Sequence, residues 1–385
     1  MMKSKRADML FLLIVALFWF AQYVLVPFLS PHLIAMGITA SFAGTIIGAY
    51  GMAQLILRIP ISVGEDLSGK HKLFIAGGLL MMVLSSVIPL VSPTPVAYLL
   101  SRTLLGVAAS TWVSYTAAFT QNAQNVKQRM GKLIAANNFG VMLSYIAGGM
   151  MYESVGMNGL FVASIVSALG ALALVFVWKP EGEAAPKPFK KDVFISVVSN
   201  RHLWNCSLLT ALGMLVLFAT SNSFVSTYAQ GLGATGMELS LVAVGFNAMG
   251  TLMSWAYAQG ALKKLTERGQ LLVAFGVMTL YCLLLPLCRA PWQVAAVQLL
   301  GGMSRSIMYT LLMAIAPAKV SPDAKTTAVG VFQCVYSLGM TGGPVVMGYL
   351  LDMSNQSYAF GFGMMGAVAL LGVVWSMIGF KNEQN

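Results

Sequence analysis

The chain has 385 residues, of which 58% are hydrophobic and 9% charged, with a mean hydropathy of +0.78 and a net charge of +11. Soluble domains carry about 25% charged residues, and a chain this apolar cannot cover its surface with polar groups. A water-soluble globule is excluded, and the outer surface must face lipid.

A helix needs about 20 apolar residues to cross ~30 Å of hydrocarbon. In chain order, apolar runs of that length fall at 8–30, 41–63, 73–92, 95–118, 131–151, 158–178, 203–229, 239–262, 271–289, 291–316, 326–350 and 357–380, predicting twelve transmembrane helices. The first follows a basic start, MMKSKR, as a signal peptide would. It runs on past Gln22 and Tyr23 with no small-residue cleavage site, so it is expected to be a full span. The third and fourth are separated only by Ser92–Pro95 and should form a tight hairpin.

The basic residues sort by side. Nineteen of the 23 Lys and Arg lie in the N-terminus, the tail and the alternate loops that share their side, among them Lys70, Lys72, Lys127, Arg129, Lys132, Lys187, Lys190, Lys191, Lys263, Lys264 and Arg268. The opposite loops hold Arg289 beside the acids Glu153, Glu238 and Asp352. This asymmetry predicts that both termini are cytoplasmic. It also accounts for the net charge through topology and an anionic leaflet, leaving no call for nucleic acid. The hydrophilic stretch KPEGEAAPKPFKKD (179–192) falls between the sixth and seventh spans. It divides the chain into a six-helix bundle at 1–178, a cytoplasmic linker at 179–202 and a second six-helix bundle at 203–385. Cys206, Cys282, Cys288 and Cys334 lie in or at the ends of apolar runs without metal-ligand spacing, and His32, His71 and His202 are isolated in sequence. Neither a metal nor a cofactor is expected.

The halves repeat. Gly140, Ser144, Tyr145, Gly148 and Gly149 in span 5 match Gly339, Gly343, Pro344, Met347 and Gly348 in span 11 at an offset of 199 residues. Duplicated six-span halves point to a transporter architecture. With them comes a patch between spans 2 and 3: Arg58 and Pro60, then Asp66, Gly69, Lys70 and Lys72, with Ser62 where a first glycine is usual. Span 4 carries Arg102 and Gly106. Over its whole length the chain resembles the major facilitator superfamily, whose signature between spans 2 and 3 this patch matches. Span 5 resembles the family's glycine-rich antiporter motif, but Ser144 and Tyr145 replace a Gly and the Pro, which weakens an inference of antiport. The resemblance implies alternating access, a cavity lined by spans 1, 4, 7 and 10, and a gating role for Asp66 by capping or pairing across the halves. Arg58, Gly69, Lys70, Gly106, Gly140, Gly148, Gly149, Gly339, Gly343 and Pro344 are the further conformational residues. Glu65 is expected to be an ordinary solvated loop charge.

On the implied cavity spans, the candidate substrate residues are Trp19, Gln22, Arg102, Tyr115, Asn222, Arg305 and Tyr309, with Tyr23, Trp112 and Phe218 beside them. Arg305 lies near the middle of span 10, where an Arg costs at least ~2.5–3.5 kcal/mol and therefore faces a wet cavity or a partner. Tyr309 is one turn away on the same face. The twelve acidic residues all fall in loops, tails or span ends. An embedded Arg without an embedded acid suits an organic anion or a neutral polar metabolite. The expectation is a monomeric inner-membrane secondary transporter, not an enzyme, with a proton or counter-solute as its coupling partner. The alternative is a proton-coupled multidrug or cationic drug efflux pump. A receptor without transport and a lipid scramblase are further alternatives on the same fold.

Overall fold

The computed structural model describes residues 2–121, 125–179, 191–321 and 324–380. Most of the predicted linker (180–190), together with Asp323, Lys381 and Glu383, lies outside the described residues. The helices are α1 (Met2–Tyr23), α2 (Val26–Ala35), α3 (Ala40–Ser68), α4 (His71–Val91), α5 (Pro95–Ser110), α6 (Trp112–Thr120), α7 (Val126–Val177), α8 (Lys191–Val198), α9 (Arg201–Ala219), α10 (Val225–Gly231), α11 (Gly236–Ala258), α12 (Glu267–Leu284), α13 (Pro291–Ile315), α14 (Lys325–Met353) and α15 (Tyr358–Gly379).

Ten stretches among the described residues are long and apolar enough to cross a membrane. One of them, 128–177, holds both the fifth and the sixth predicted spans. A straight helix of the 52 residues of α7 would be about 78 Å long. Yet Arg129 near its start and Trp178 just past its end line one small pocket with Asp8 and Phe119. The chain must therefore double back, and it does so at Gly156, whose φ of 61° is open to glycine at no steric cost. Counting α7 as two crossings, and adding the 25 residues of α13 for the tenth span, recovers the twelve.

Spans 1, 4 and 7, expected as single helices, are each interrupted. Between α1 and α2 the break precedes Pro27, which has no N–H to donate. Between α5 and α6 it falls at Thr111, whose N–H and Oγ1 both turn back to the Ala108 carbonyl, at 3.1 and 2.7 Å. Between α9 and α10 a π-turn spans Thr220–Phe224. Such turns insert an extra residue into a helix and recur at functional sites.

By contact the chain forms two compact units, Met1–Val26 with Ala53–Phe189, and Pro27–Met52 with Lys190–Asn385. In the first, α1 packs along α7 and α4 packs on α5 and α7. A Cβ at Gly140 would collide with the Ala16 carbonyl, so the backbones touch there. Ser164 and Ser167 donate to the carbonyls of Ala21 and Leu17, each at 2.9 Å, and Ser86 donates to Ser164 at 3.0 Å. No water drives helices together inside hydrocarbon, so close backbone approach and interhelical hydrogen bonds, about 0.6 kcal/mol each, must do so.

In the second unit α14 packs along α9, α11 on α13, and α12 on both α13 and α15. Gly339 rests on the backbone of Ala211 and Leu215, and Gly343 on that of Leu215 and Ala219. The contact Gly140 makes with the Ala16 carbonyl in one unit is thus made by Gly339 with the Ala211 carbonyl in the other, the two glycines standing at the 199-residue offset found in the sequence. The first part of α3 also belongs to this unit: Gly44 meets the Pro344 carbonyl, Gly48 that of Thr341, and Gly348 that of Ala40.

Candidate substrate site and gating residues

Each unit carries part of the expected substrate site. In the first, Trp19 on α1 lies edge-on to Trp112 of α6, with ring centroids 5.1 Å apart, and 5.5 Å from Tyr23. Tyr115 is fully buried between Phe18, at 4.8 Å, and Trp112, at 5.9 Å. The structure therefore gathers Trp19 and Tyr115 into one aromatic cluster. Gln22, one turn beyond Phe18, reaches the Leu105 carbonyl at 3.5 Å, at the limit of a hydrogen bond. Trp19 Nε1, Ser114 Oγ and Tyr115 OH are buried with no hydrogen-bond partner among the described residues. Buried polar atoms left so cost about 1–3 kcal/mol each. Arg102 is buried on α5 one turn before Gly106, which is also buried.

In the second unit the Arg305 guanidinium lies over the Phe246 ring of α11, 5.0 Å from its centroid. Gly250, one turn on, leaves room for it: a Cβ there would sit 3.2 Å from Nη2. Among the described residues Arg305 makes no hydrogen bond or ion pair, only this cation–π contact. Tyr309 stands edge-on to Tyr336 of α14, 5.8 Å away, and 6.3 Å from Phe332. Asn222 occupies the π-turn and donates weakly to the Leu217 carbonyl at 3.4 Å.

The same turn presents a group that the sequence reading passed over. Ser221 Oγ lies 2.7 Å from Tyr281 OH and 2.8 Å from Gln298 Oε1, and Tyr281 OH lies 3.1 Å from that Oε1. Gln298 is wholly buried, and its Nε2 has no partner among the described residues. The available signal was an uncharged amide two turns before Arg305 on the same face of an apolar helix.

At the turn between α3 and α4, Gly69 has a φ of 67°, as a reversal there requires. Asp66 and Lys70 are exposed beside it. Glu65 is not the solvated charge expected. Its side chain is 2% exposed and pairs with His71 Nδ1 across the turn, so the buried carboxylate has the partner that burial demands. Lys72 Nζ donates to the carbonyls of Phe176 and Trp178, at 3.3 and 3.0 Å. That is a cation at a helix C-terminus, where the peptide dipoles favour it. Arg58 donates to Gln54 one turn back on α3, both buried. Gly148 and Gly149 are buried along α7. Near the start of α7 Arg129 holds both oxygens of Asp8 at 3.0 Å and covers Phe119 at 4.9 Å.

A duplicated bundle of membrane-length helices, interrupted where polar side chains gather, defines a solute transporter of the multi-pass kind. The Major Facilitator Superfamily model matches residues 11–292, and the chain belongs to that family. It is 21% identical over 360 residues to an uncharacterized MFS-type transporter of Methanocaldococcus jannaschii, with 89% of this chain and 91% of that protein covered. It is 24% identical over 364 residues to the transcription regulatory protein OpdE of Pseudomonas aeruginosa, with 88% and 85% covered. Among solved structures, a mutant of the nucleoside transporter NupG superposes with a TM-score of 0.83 at 13% identity, covering 97% of this chain and all of that one. The likeness to that structure concerns the fold alone.

Proposed function

We propose that this protein moves an organic anion or a neutral polar metabolite across the plasma (inner) membrane, with both termini cytoplasmic, by alternating access of two six-helix halves, 1–178 and 203–385. One observation carries the reading. Arg305 sits mid-helix with an aromatic face beneath it and no carboxylate on it among the described residues. A guanidinium so placed keeps its fork of donors for a solute carboxylate or phosphate. The donors of Trp19, Ser114 and Tyr115 suit a solute that also carries neutral acceptors. Asp66, Gly69, Lys70, Arg58 and the glycines of α7 and α14 govern the exchange between states, with a proton or counter-solute as coupling partner, and the working unit is a monomer.

A second reading, export of lipophilic cations, draws on the aromatic cluster around Trp19, since such rings attract cations by about 0.5–2 kcal/mol. Thermal stabilisation of the purified protein by a panel of organic anions, cations and neutral solutes separates the two. A binder at 100 times its Kd adds about 2.7 kcal/mol. Stabilisation by anions that is lost in Arg305→Ala supports the first reading. Stabilisation by cations, unaffected by that change, replaces it with the second.

A further inference from the structure

The N-terminus of α3 is not capped by its own neighbours alone. Ala40 N–H donates to Asp352 Oδ1 at 3.1 Å and Ser41 N–H to Asp352 Oδ2 at 2.9 Å, so one carboxylate takes the first two free amides of the helix. Asp352 lies in the last turn of α14, 312 residues along the chain from Ala40. Gln356 donates to the same Oδ1 at 3.0 Å and holds the carboxylate in place. Within its own segment, Thr39 Oγ1 offers only a 3.4 Å contact to the Phe42 amide.

A cap supplied from nearby in sequence goes wherever its helix goes. One supplied from another span exists only while the two helices lie together. The surface between them is also of an unusual kind. Gly44, Gly48 and Gly51 on α3, and Gly348 on α14, bring backbone against backbone. Van der Waals contact between backbones has little directionality, and the carboxylate cap adds directional bonds to it. The helix it holds crosses the contact boundary of the molecule: α3 belongs to one unit up to Met52 and to the other from Ala53. The two helices match, each 29 residues long with a carboxylate in its last turn, Asp66 in α3 and Asp352 in α14.

We propose that Asp352 and the N-terminal amides of α3 form a releasable latch, which holds the membrane end away from the basic loops shut and must open for that end to admit solute. Its consequence for transport rests on the transporter reading above, while its existence does not.

The test needs no solute. With the four native cysteines replaced by alanine, spin labels are placed at Met36, just past α2, and Phe360, in the first turn of α15, both exposed and neither in the latch. Electron–electron double resonance in lipid nanodiscs then reads the distance between them. A single distance is expected with Asp352 intact. A second, longer one should appear in Asp352→Asn, which keeps the shape but loses the charge, and grow in Asp352→Ala. Asp352→Glu should largely restore the single distance. If the asparagine variant melts like the parent and keeps the single distance, the latch is overturned. A second distance in a protein that no solute stabilises would leave the latch standing and count against the transporter reading instead.

Discussion

The guanidinium of Arg305 lies over the ring of Phe246 on the neighbouring helix, 5.0 Å from its centroid. The ring balances part of the charge without occupying a single donor, and the proposed anion reading takes those donors as the ones that meet the solute. Arg305→Lys keeps the charge but loses the planar fork. It should weaken binding of a stabilising anion by about tenfold or more, equivalent to 1.4 kcal/mol. Titrated thermal shifts would show this, and equal affinity in the lysine variant would speak against paired recognition.

Gly343 and Gly342 are neighbours with opposite tolerances. A Cβ on Gly343 would strike the Leu215 carbonyl, whereas nothing lies within 4 Å of one on Gly342. Gly343→Ala should therefore cost about 1–3 kcal/mol through overpacking. Gly342→Ala should be neutral, or gain up to about 1 kcal/mol from helix propensity. Unfolding in detergent compares the pair directly, and similar losses in both would mean that α9 and α14 do not pack as described.

The Glu65–His71 pair should reveal itself by coupling. His71→Ala strands a carboxylate that is 2% exposed, and a buried charge losing its partner costs about 3–5 kcal/mol. Glu65→Gln should lose less, and the double variant should be more stable than the sum of the single losses implies. Additive losses in a double-mutant cycle would show that the two side chains do not interact.

Removing the Gln298 side chain should cost more than its unpartnered donor suggests. Gln298→Leu deletes Oε1, the acceptor within reach of both Ser221 Oγ and Tyr281 OH, and leaves one buried hydroxyl proton without an acceptor, while Ser221 and Tyr281 keep their 2.7 Å bond. A loss of about 1–3 kcal/mol is expected. Ser221→Ala and Tyr281→Phe should cost about 1 kcal/mol each and not add up, since they share partners. A neutral leucine variant would show that Oε1 does not serve the two hydroxyls.

Hydrophobic length made the spans legible, because it follows from the bilayer as solvent. The glycine repeat was legible too: Gly140 and Gly339 perform the same contact in their own units. What sequence did not convey were the interruptions in spans 1, 4 and 7. Thr111 and the Thr220–Phe224 turn break their helices through local rearrangement of hydrogen bonds, and apolar periodicity is blind to that. Pro27 was the one readable warning. Glu65 was misjudged because adjacent acids in a loop look alike until the turn at Gly69 swings His71 onto one of them. Asp352 looked like one more charge at a span end, since its partners lie 312 and 311 residues away.

The reversal at Gly156 bears on how the chain is made. Between the two limbs of α7 only one residue departs from helical geometry, so neither limb has a loop in which to wait while the other is synthesised. The two limbs should leave the translocon as a pair, the second arriving before the first has settled. Any substitution at Gly156 must adopt a φ of 61° that side chains resist, so its damage should fall on biogenesis, as lost yield in the membrane, more than on the activity of the molecules that arrive.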